Sequence, residues 1–521
     1  MKILYVNPGR IEAGLDSIIK SPPLALLSIA AMVPEHEATL FDFKVDRYTE
    51  KSFRRLLKKH EVVAISSMTP QIQSAFEVAK MAKEEGLITI LGGYHPTLEP
   101  EFCISNPYVD FIAKGEGEHT FKELIDYISK SKEAKPITDI LGISYKNDRG
   151  EIIHNGPRPL EMNLDNFPLP RRDLLKGKRY SYLGTKVMLM ETSRGCPHNC
   201  NFCCIIKMWN DGKNTKRYRT KSIKRIMEEL YSIDPKWDFV FFNDDNFTIN
   251  IKRTDKILDA ILKSGLQNRF FFSCQSRVDT FNNHQWLAPK MAKAGFRQVF
   301  FGIESVHQQS LDAMGKKTNA EMIRSACKMA TDNGISIFGG MIVGFPGETK
   351  EMVRENIKFA ISLGLDFVQF TPITAFPGTK FFEEMKQKNK ISTYNWKYYN
   401  LFTPMMGTDQ LSREEIYELV GEAYGKYYMN KDYLKLMFNR AIFNPKFAWF
   451  KKFAVNWVKQ FLFGGYGMLK SMGIRGLPRR EPNTISLKDE MKLRWKKYQA
   501  LLKQAKQQGI HLEIGNLSTE V

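Results

Sequence analysis

The stretch Glu191–Cys204 reads ETSRGCPHNCNFCC, and it carries three cysteines in the spacing CxxxCxxC: Cys196, Cys200 and Cys203. It overlaps the end of Val187–Thr192, an apolar run that predicts a buried strand. Thiolates are the usual ligands of iron–sulfur clusters, and three of them leave one iron of a four-iron cubane without a protein ligand. The spacing therefore predicts a [4Fe–4S] cluster with an open coordination position. The alternatives are three incidental buried cysteines or a structural zinc knuckle, which normally takes four ligands.

The strand before the cysteines is the first of six apolar runs that alternate with helical patterns. Six strand–helix repeats of this kind predict an open or partial (β/α)6 barrel, whose active site lies at the C-terminal ends of the strands. The predicted strands are Val187–Thr192, Phe239–Asn243, Arg269–Ser273, Gln298–Ile303, Ile337–Val343 and Phe367–Thr371.

The cysteine stretch and the strand ends resemble the radical S-adenosylmethionine (SAM) family. In that family the open iron binds the amino and carboxylate groups of SAM, and an electron from the cluster releases a 5′-deoxyadenosyl radical. An ammonium group needs a carboxylate partner, and an arginine fork suits a carboxylate. The resemblance implies SAM contacts from Phe202, Asp244, Asp245, Ser273, Arg277, Glu304 and Gly344. For the two aspartates and the arginine, the alternatives are plain solvation and a surface salt bridge. The extra thiol of Cys204 is interpreted as a packed side chain.

Residues 1–135 also alternate short apolar runs with helical patterns, which predicts a doubly wound, Rossmann-like parallel sheet. Ligands bind such sheets at the carboxyl ends of the strands. Three polar or glycine-rich segments follow predicted strands and are therefore candidate ligand loops: Ser66–Thr69, Gly92–His95 and Gly115–Glu118.

This N-terminal region resembles the vitamin B12-binding domain that is found fused to radical SAM barrels. Many B12 proteins carry the motif D-x-H-x-x-G, whose histidine ligates cobalt, but Asp42–Arg47 (DFKVDR) has neither the histidine nor the glycine. Methylase-type members of the fused family also lack that histidine. The resemblance thus still implies cobalamin, and the alternative is a domain that keeps the fold and binds substrate. The implied cobalamin contacts are Ser66, Ser67, Met68, Gly92, Gly93, Gly115, Glu116, Gly117 and Glu118.

The chain divides into four predicted regions. A cobalamin-binding-like domain (1–135) is followed by a hairpin and proline-rich linker (136–180), the radical SAM barrel (181–390) and a helical, basic and aromatic region (391–521). Between residues 426 and 480 there are twelve basic residues and one acidic residue, which is over half of the net charge of +20. Basic residues interleaved with aromatic ones suit an interfacial helix on anionic lipid. They also suit RNA stacking or a solvated face over packed aromatic residues.

The combination of cofactors predicts a reaction class. The methyl group of SAM is electrophilic and an unactivated carbon is not a nucleophile, so SAM cannot methylate such a carbon directly. A radical formed at that carbon can instead accept a methyl group from methylcobalamin. We therefore expect C-methylation of a small-molecule or lipid-like substrate, with an electron donor such as ferredoxin or flavodoxin. Oxidative cyclisation is the main alternative.

Other classes are less favoured. A tRNA methylthiotransferase is disfavoured because the N-terminal region has only one cysteine, Cys103. Nucleic acid is therefore not an expected partner, and a non-catalytic cobalamin sensor would have no use for an open iron. Seven cysteines, three of them clustered, favour a reducing compartment. With no leader peptide or membrane span in the sequence, we expect a cytoplasmic protein that contacts the membrane only peripherally.

Overall fold

The structure is a computed structural model of the 521-residue chain, and it describes residues 1–9, 19–182, 184–209 and 217–451. Within the predicted basic and aromatic segment, residues 426–451 are described. The expectations for residues 452–480, and for the rest of the C-terminal region, lie outside the described residues.

The N-terminal region, residues 2–154, builds a seven-stranded sheet with the order β3-β1-β4-β5-β6-β7-β8. Its first five strands in that order are parallel, and the β7–β8 hairpin continues the sheet in the antiparallel sense. This confirms the predicted doubly wound sheet. The seven strands are β1 (Lys2–Asn7), β3 (Glu37–Asp42), β4 (Val62–Ser66), β5 (Ile88–Gly92), β6 (Phe111–Ala113), β7 (Ile143–Lys146) and β8 (Ile152–His154). The short strand β2 (Ile19–Lys20) lies outside this sheet.

Helices cover this sheet, which is why its central strands are continuous apolar runs rather than alternating ones. The helices are α1 (Leu24–Ala31), α2 (Glu50–Leu57), α3 (Ile72–Glu84), α4 (Tyr94–Leu98), α5 (Pro100–Ile104) and α6 (Gly117–Ser129).

The second sheet has eight strands in the order β17-β16-β15-β14-β13-β10-β9-β2, and six of them run parallel in sequence order from β10 to β17. These six are the predicted barrel strands. A separate two-stranded ribbon pairs β11 with β12. The strands are β9 (Ser181–Tyr182), β10 (Thr185–Met190), β11 (Ser193–Arg194), β12 (Arg219–Thr220), β13 (Phe239–Phe242), β14 (Phe271–Ser276), β15 (Phe296–Glu304), β16 (Ser336–Val343) and β17 (Phe367–Pro372).

The helices that follow these strands have clear sequence signals, and α9 shows them well. The Asn250 side chain accepts the Arg253 N–H and caps the first turn, and Gly265 ends the helix at a φ of 75°. The helices are α7 (Ile205–Met208), α8 (Ile223–Ser232), α9 (Ile251–Ser264), α10 (Val278–Asn283), α11 (Leu287–Lys293), α12 (Gln308–Ala313), α13 (Ala320–Asp332), α14 (Lys350–Ser362), α15 (Lys380–Gln387), α16 (Arg413–Tyr428) and α17 (Lys431–Ile442).

The barrel sheet has one sealed face and one more open face. Along the C-terminal half of β15, Phe301 and Ile303 are fully buried, whereas Phe300, Gly302 and Glu304 are only partly buried. Because successive residues of a strand face opposite sides, one face packs against helices and the other lines an accessible interior. That interior opens toward the strand ends where the predicted SAM contacts lie.

Helix α16 protects the edge strand of the barrel sheet. The Tyr428 hydroxyl accepts the N–H of Val368 and donates to the carbonyl of the same residue, both at 2.9 Å, and the Tyr424 hydroxyl accepts the N–H of Phe370 at 3.2 Å. These hydroxyls satisfy backbone groups that an open edge would leave unpaired. The C-terminal helices therefore close the barrel side of the molecule.

The two sheets are joined by more than the linker. Strand β2, from the N-terminal region, extends the barrel sheet by pairing with β9, while the hairpin extends the first sheet. The domain boundaries at 135, 180 and 390 remain a prediction. Among the described residues, no helix is both long and apolar enough to cross a bilayer.

Candidate active site

The three cysteines lie together on the loop between β11 and α7, at the C-terminal end of the first barrel strand. All three are partly buried, and the Cys203 N–H donates to the Cys200 carbonyl at 3.1 Å. Gly195, which precedes the first cysteine, has a φ of +82°, and a Cβ there would overlap the backbone carbonyl of Arg217. Only glycine therefore lets the cysteine loop start so close to the incoming strand β12.

The chemistry of this loop fits an iron–sulfur cluster. Burial raises the pKa of Cys196 and raises that of Cys203 to about 12, while backbone N–H groups of His198 and Ile205 bond to these two sulfurs and act in the opposite sense. N–H groups directed at sulfur are a recognised means of tuning such clusters. Among the described residues, no three Cys, His, Asp or Glu side chains converge on a single ion. A cubane instead places each thiolate on a different iron.

Asp244 and Asp245 follow β13, and the structure gives them different surroundings. Asp244 is fully buried and accepts hydrogen bonds from the Thr192 N–H at 3.0 Å and from the hydroxyls of Thr192 and Ser193. Asp245 is partly exposed and accepts the Gly195 N–H at 2.9 Å. Burial raises the pKa of Asp245 to about 6. We therefore interpret Asp244 as a structural residue that holds the segment before the cysteines. Asp245 stays the predicted partner of the SAM ammonium group.

Of the other predicted SAM contacts, Arg277 and Gly344 directly follow β14 and β16 and Glu304 ends β15. Ser273 instead lies within β14, which continues to Ser276 rather than ending at Ser273 as predicted. The Ser273 hydroxyl is buried and has no hydrogen-bond partner in the structure, as expected for a polar group that awaits a ligand. Arg277 is bound by Asp279 at 3.0 Å. Glu304 adopts a φ of +67° and pairs with Lys316 at 2.7 Å. Left-handed backbone at a non-glycine residue costs about 1–2 kcal/mol and is concentrated at functional sites.

The last two predicted SAM contacts are Gly344, after β16, and Phe202, in the cysteine loop. Gly344, at a φ of +78°, has no room for a Cβ against Ile416. Phe202 lies beside Cys203 and packs on the apolar cluster that includes the N-terminal sheet. All seven SAM contacts therefore stay predictions. Asp244, Arg277 and Glu304 already have protein partners, whereas the Ser273 hydroxyl has none among the described residues.

The candidate cobalamin loops meet at the carboxyl edge of the first sheet. Gly93 has a φ of +101°, and a Cβ there would lie 2.8 Å from the Ser67 carbonyl oxygen. Met68 is 51% exposed after β4, and Gly115 has open space beside it after β6. Gly93 thus allows two of these loops to pack against each other, while the space beside Gly115 suits a large ligand that approaches the backbone closely. The remaining members of the predicted set, Ser66, Gly92 and Gly117, lie at the same edge.

Comparisons with known proteins agree with both halves of this site. The radical SAM superfamily model matches residues 190–360, and the B12 binding domain model matches residues 19–125. An uncharacterized methyltransferase of Pyrococcus horikoshii is 36% identical over 82% of this chain and 93% of its own length. The chain belongs to the radical SAM superfamily, among its B12-binding methyltransferases. It is a radical SAM enzyme whose cofactors are a [4Fe–4S] cluster, SAM and cobalamin, as the resemblance implied, and it needs a reductant.

Two further comparisons place this radical SAM enzyme among its relatives. The anaerobic magnesium-protoporphyrin IX monomethyl ester cyclase of Rubrivivax gelatinosus is 27% identical over 84% of this chain and 80% of its own. The solved structure of the cobalamin-dependent SAM radical enzyme OxsB, with aqua-cobalamin and SAM bound, superposes with a TM-score of 0.64. The superposition covers 98% of this chain and 82% of OxsB at 17% identity, so it confirms the fold.

The topology of the B12-binding sheet corrects where a cobalt-ligating histidine should be sought. The strand order reverses between β1 and β4, and ligands bind at such a switch point. Asp42–Arg47 follows the edge strand β3 instead, and Asp42 is buried and bound by Asn7 at 3.0 Å and Tyr180 at 2.9 Å. The relevant loop follows β1, and the sequence has no histidine before His36. The absence of a protein histidine from this motif therefore holds at the correct loop as well.

The structure also changes the interpretation of two predicted cobalamin contacts. Glu116 and Glu118 are nearly buried, and their carboxylates are bound by Arg194 at 2.9 and 2.6 Å. Their side chains face the barrel rather than the open edge of the B12-binding sheet. Both residues stay predicted cobalamin contacts, but sequence spacing did not show that Arg194 binds their carboxylates. The prediction also missed Arg194 and Trp209, although both flank the cysteine stretch.

Proposed function

We propose that this enzyme C-methylates an unactivated carbon of a hydrophobic, lipid-like small molecule. The observation that carries the proposal is the meeting of the two cofactor regions: α4, directly after the Gly93 turn, packs against α7, directly after the cysteines. Burial raises the pKa of Tyr94, the first residue of α4, and nearby Asp245 and Cys204 raise it further. A reaction that uses both cofactors on one substrate needs this proximity, because the reacting groups must be held in one geometry.

The chain's own residues have distinct parts in this reaction. When bound, the cluster, SAM and cobalamin supply an electron, a hydrogen-abstracting radical and a methyl group. Cys196, Cys200 and Cys203 would hold the cluster, and Asp245 would receive an ammonium group, whose positive charge favours the ionised carboxylate. Gly93 lets the loop after β5 pack directly on Ser67, and the edge beside Met68 and Gly115 would receive the corrin of cobalamin. The partly buried face of the barrel keeps bulk water away from a carbon radical.

A hydrophobic substrate is favoured by the surface of α17. Leu434, Phe438 and Ile442 are spaced four residues apart on one face of the helix and are 48%, 57% and 57% exposed. The neighbouring Lys431 and Lys435 are exposed as well. An exposed apolar stripe beside lysines suits the surface of an anionic membrane, where apolar side chains enter the interface and lysines meet headgroups. We propose that α17 contacts the membrane peripherally and that the protein is otherwise cytoplasmic.

The reaction is tested by following the methyl group. The protein is reconstituted without oxygen with iron, sulfide and hydroxocobalamin, and it is then supplied with methyl-labelled SAM, a reduced ferredoxin or flavodoxin, and a membrane lipid extract. We expect label in an extracted lipid together with 5′-deoxyadenosine. A Cys200→Ala variant is the control and should form neither. Transfer of label only to water-soluble molecules would contradict the lipid-like substrate.

Oxidative cyclisation is the second candidate, because a relative of this chain is named as a cyclase. The same assay separates the two reactions. A cyclase would form 5′-deoxyadenosine and a product that has lost hydrogen without gaining label. That result would overturn C-methylation while leaving the radical SAM assignment intact.

Membrane contact is tested by sedimentation with vesicles of phosphatidylglycerol and phosphatidylcholine. We expect the full chain to sediment with the anionic vesicles and a Phe438→Ser variant to sediment several-fold less. The matched control is Met162→Ser, which removes a side chain that is 51% exposed elsewhere. Equal sedimentation of wild type and Phe438→Ser would contradict a role for α17.

A further inference from the structure

A buried group of ionic side chains connects the B12-binding sheet to the cysteine loop. We call it the interdomain ion network, and it consists of Glu116, Glu118, Glu191, Arg194 and Arg219. Arg194 binds Glu116 at 2.9 Å, Glu118 at 2.6 Å and Glu191 at 2.7 Å, and Arg219 binds Glu116 at 2.6 Å. The Arg194 side chain is 8% exposed and that of Arg219 is 0% exposed. The network therefore joins the loop after β6 to the ribbon β11–β12.

The network continues toward the predicted SAM site. The Trp209 ring lies 5.9 Å from the Arg194 guanidinium and 5.4 Å from that of Arg219. Its indole N–H donates to Asp245 at 2.9 Å, and the same oxygen of Asp245 accepts the N–H of Gly195, the residue between Arg194 and Cys196. One arginine thus contacts a cobalamin loop through its side chain and lies two residues from a cluster ligand.

Such an arrangement is weak evidence for stability, because burying charges carries a desolvation cost that their attraction repays only with good geometry. In some proteins buried ionic groups instead select a single arrangement of the parts that they join. An arginine can satisfy several carboxylates at once through its planar fork, which a lysine cannot do. The structure gives Arg194 three carboxylates on two sides of the domain junction.

We infer that Arg194 is a positioning residue that sets the separation between the cobalamin loops and the cluster, and that Glu116 and Glu118 act through it instead of contacting cobalamin. This inference rests on the proposed function, because a methyl donor and a hydrogen-abstracting radical must reach the same substrate carbon. It predicts that the network controls the geometry of the two cofactors and not their binding.

The test measures that geometry directly in the reconstituted protein. The reduced cluster and cob(II)alamin each carry an unpaired electron, and the magnetic coupling between them in electron paramagnetic resonance spectra reports their separation. The variants are Glu118→Gln and Arg194→Lys. The matched control is Glu123→Gln on the same helix α6. Glu123 pairs with Arg158 and Lys135, and both of these partners lie outside the barrel. Iron and cobalt contents are measured alongside.

We expect both network variants to keep their iron and cobalt while the well-defined coupling is lost from about half of the molecules or more, since a lysine or an amide cannot hold the fork. The double variant should be no worse than Arg194→Lys alone, because the two residues act as one unit. The control should match wild type.

Each contrary outcome has its own meaning. Unchanged coupling in both variants would overturn the inference, and so would losses that multiply in the double variant. Loss of cobalt from Glu118→Gln would return that residue to the cobalamin contacts. A wild-type protein that holds a cluster but no cobalt would overturn the proposed function itself, and this is seen before any variant is compared.

Discussion

The substitution Gly195→Ala tests how tightly the cysteine loop is constrained. Gly195 has a φ of +82°, and an added Cβ would overlap the Arg217 carbonyl oxygen and lie 2.7 Å from its carbon. The left-handed backbone alone costs an alanine about 1–2 kcal/mol. Backbone atoms cannot swing aside as a flexible side chain can, so the ribbon β11–β12 must open. If this opening leaves a buried carboxylate of the network without its arginine, the cost rises by about 3 kcal/mol or more.

A matched control separates backbone strain from the clash. Gly265, at the end of α9, has a φ of +75°, and a Cβ added there would have no atom within 4 Å, so Gly265→Ala incurs the strain alone. Iron and sulfide per chain are measured after anaerobic reconstitution, together with the midpoint of thermal unfolding. We expect Gly265→Ala to melt slightly earlier with a full cluster, and Gly195→Ala to melt clearly earlier and lose most of its iron. Equal melting and full iron in both would refute the reasoning.

Two further predictions use other parts of the chain. Cys204→Ser should keep the iron content of wild type while Cys203→Ser loses it, because only Cys203 belongs to the CxxxCxxC spacing; iron loss in both would make Cys204 a ligand. Lys146 donates to the carbonyls of Asn106 and Val109, and burial lowers its pKa to about 8. Below pH 8 the folded protein carries this lysine charged and buried, which lowers the free energy of unfolding by its full amount. That cost shrinks as the pH rises from about 8 toward the unfolded pKa of 10.5. Relative to Lys146→Met, wild type should gain up to about 3 kcal/mol between pH 7 and pH 10, and a constant difference in unfolding free energy would contradict this.

Local sequence was enough to predict the barrel, because each of its strands is a short apolar run between amphipathic helices. The prediction for β17, Phe367–Thr371, differs from the observed Phe367–Pro372 by one residue. The cysteine prediction also needed only local sequence, since all three predicted cluster ligands lie on one loop. What local sequence could not indicate was how the edge of that sheet is covered. The hydroxyls of Tyr424 and Tyr428 bond β17 from a helix more than fifty residues further along the chain.

The site residues show the same limit more sharply. Asp244 and Asp245 are adjacent and chemically identical, so the sequence treats them alike, yet one is sealed by Thr192 and the other faces the cysteine loop. Glu118 follows a glycine loop of the B12-binding sheet, which predicts a cobalamin contact, but the sequence does not show that Arg194, 76 residues away, binds its carboxylate. The partner of a charge depends on the packing of distant segments, because Coulomb attraction is strong only where burial removes water. In this enzyme the residues recognisable by their chemical type are the predicted cofactor contacts, whereas Arg194, whose partners only packing reveals, forms ion pairs that join the two cofactor domains.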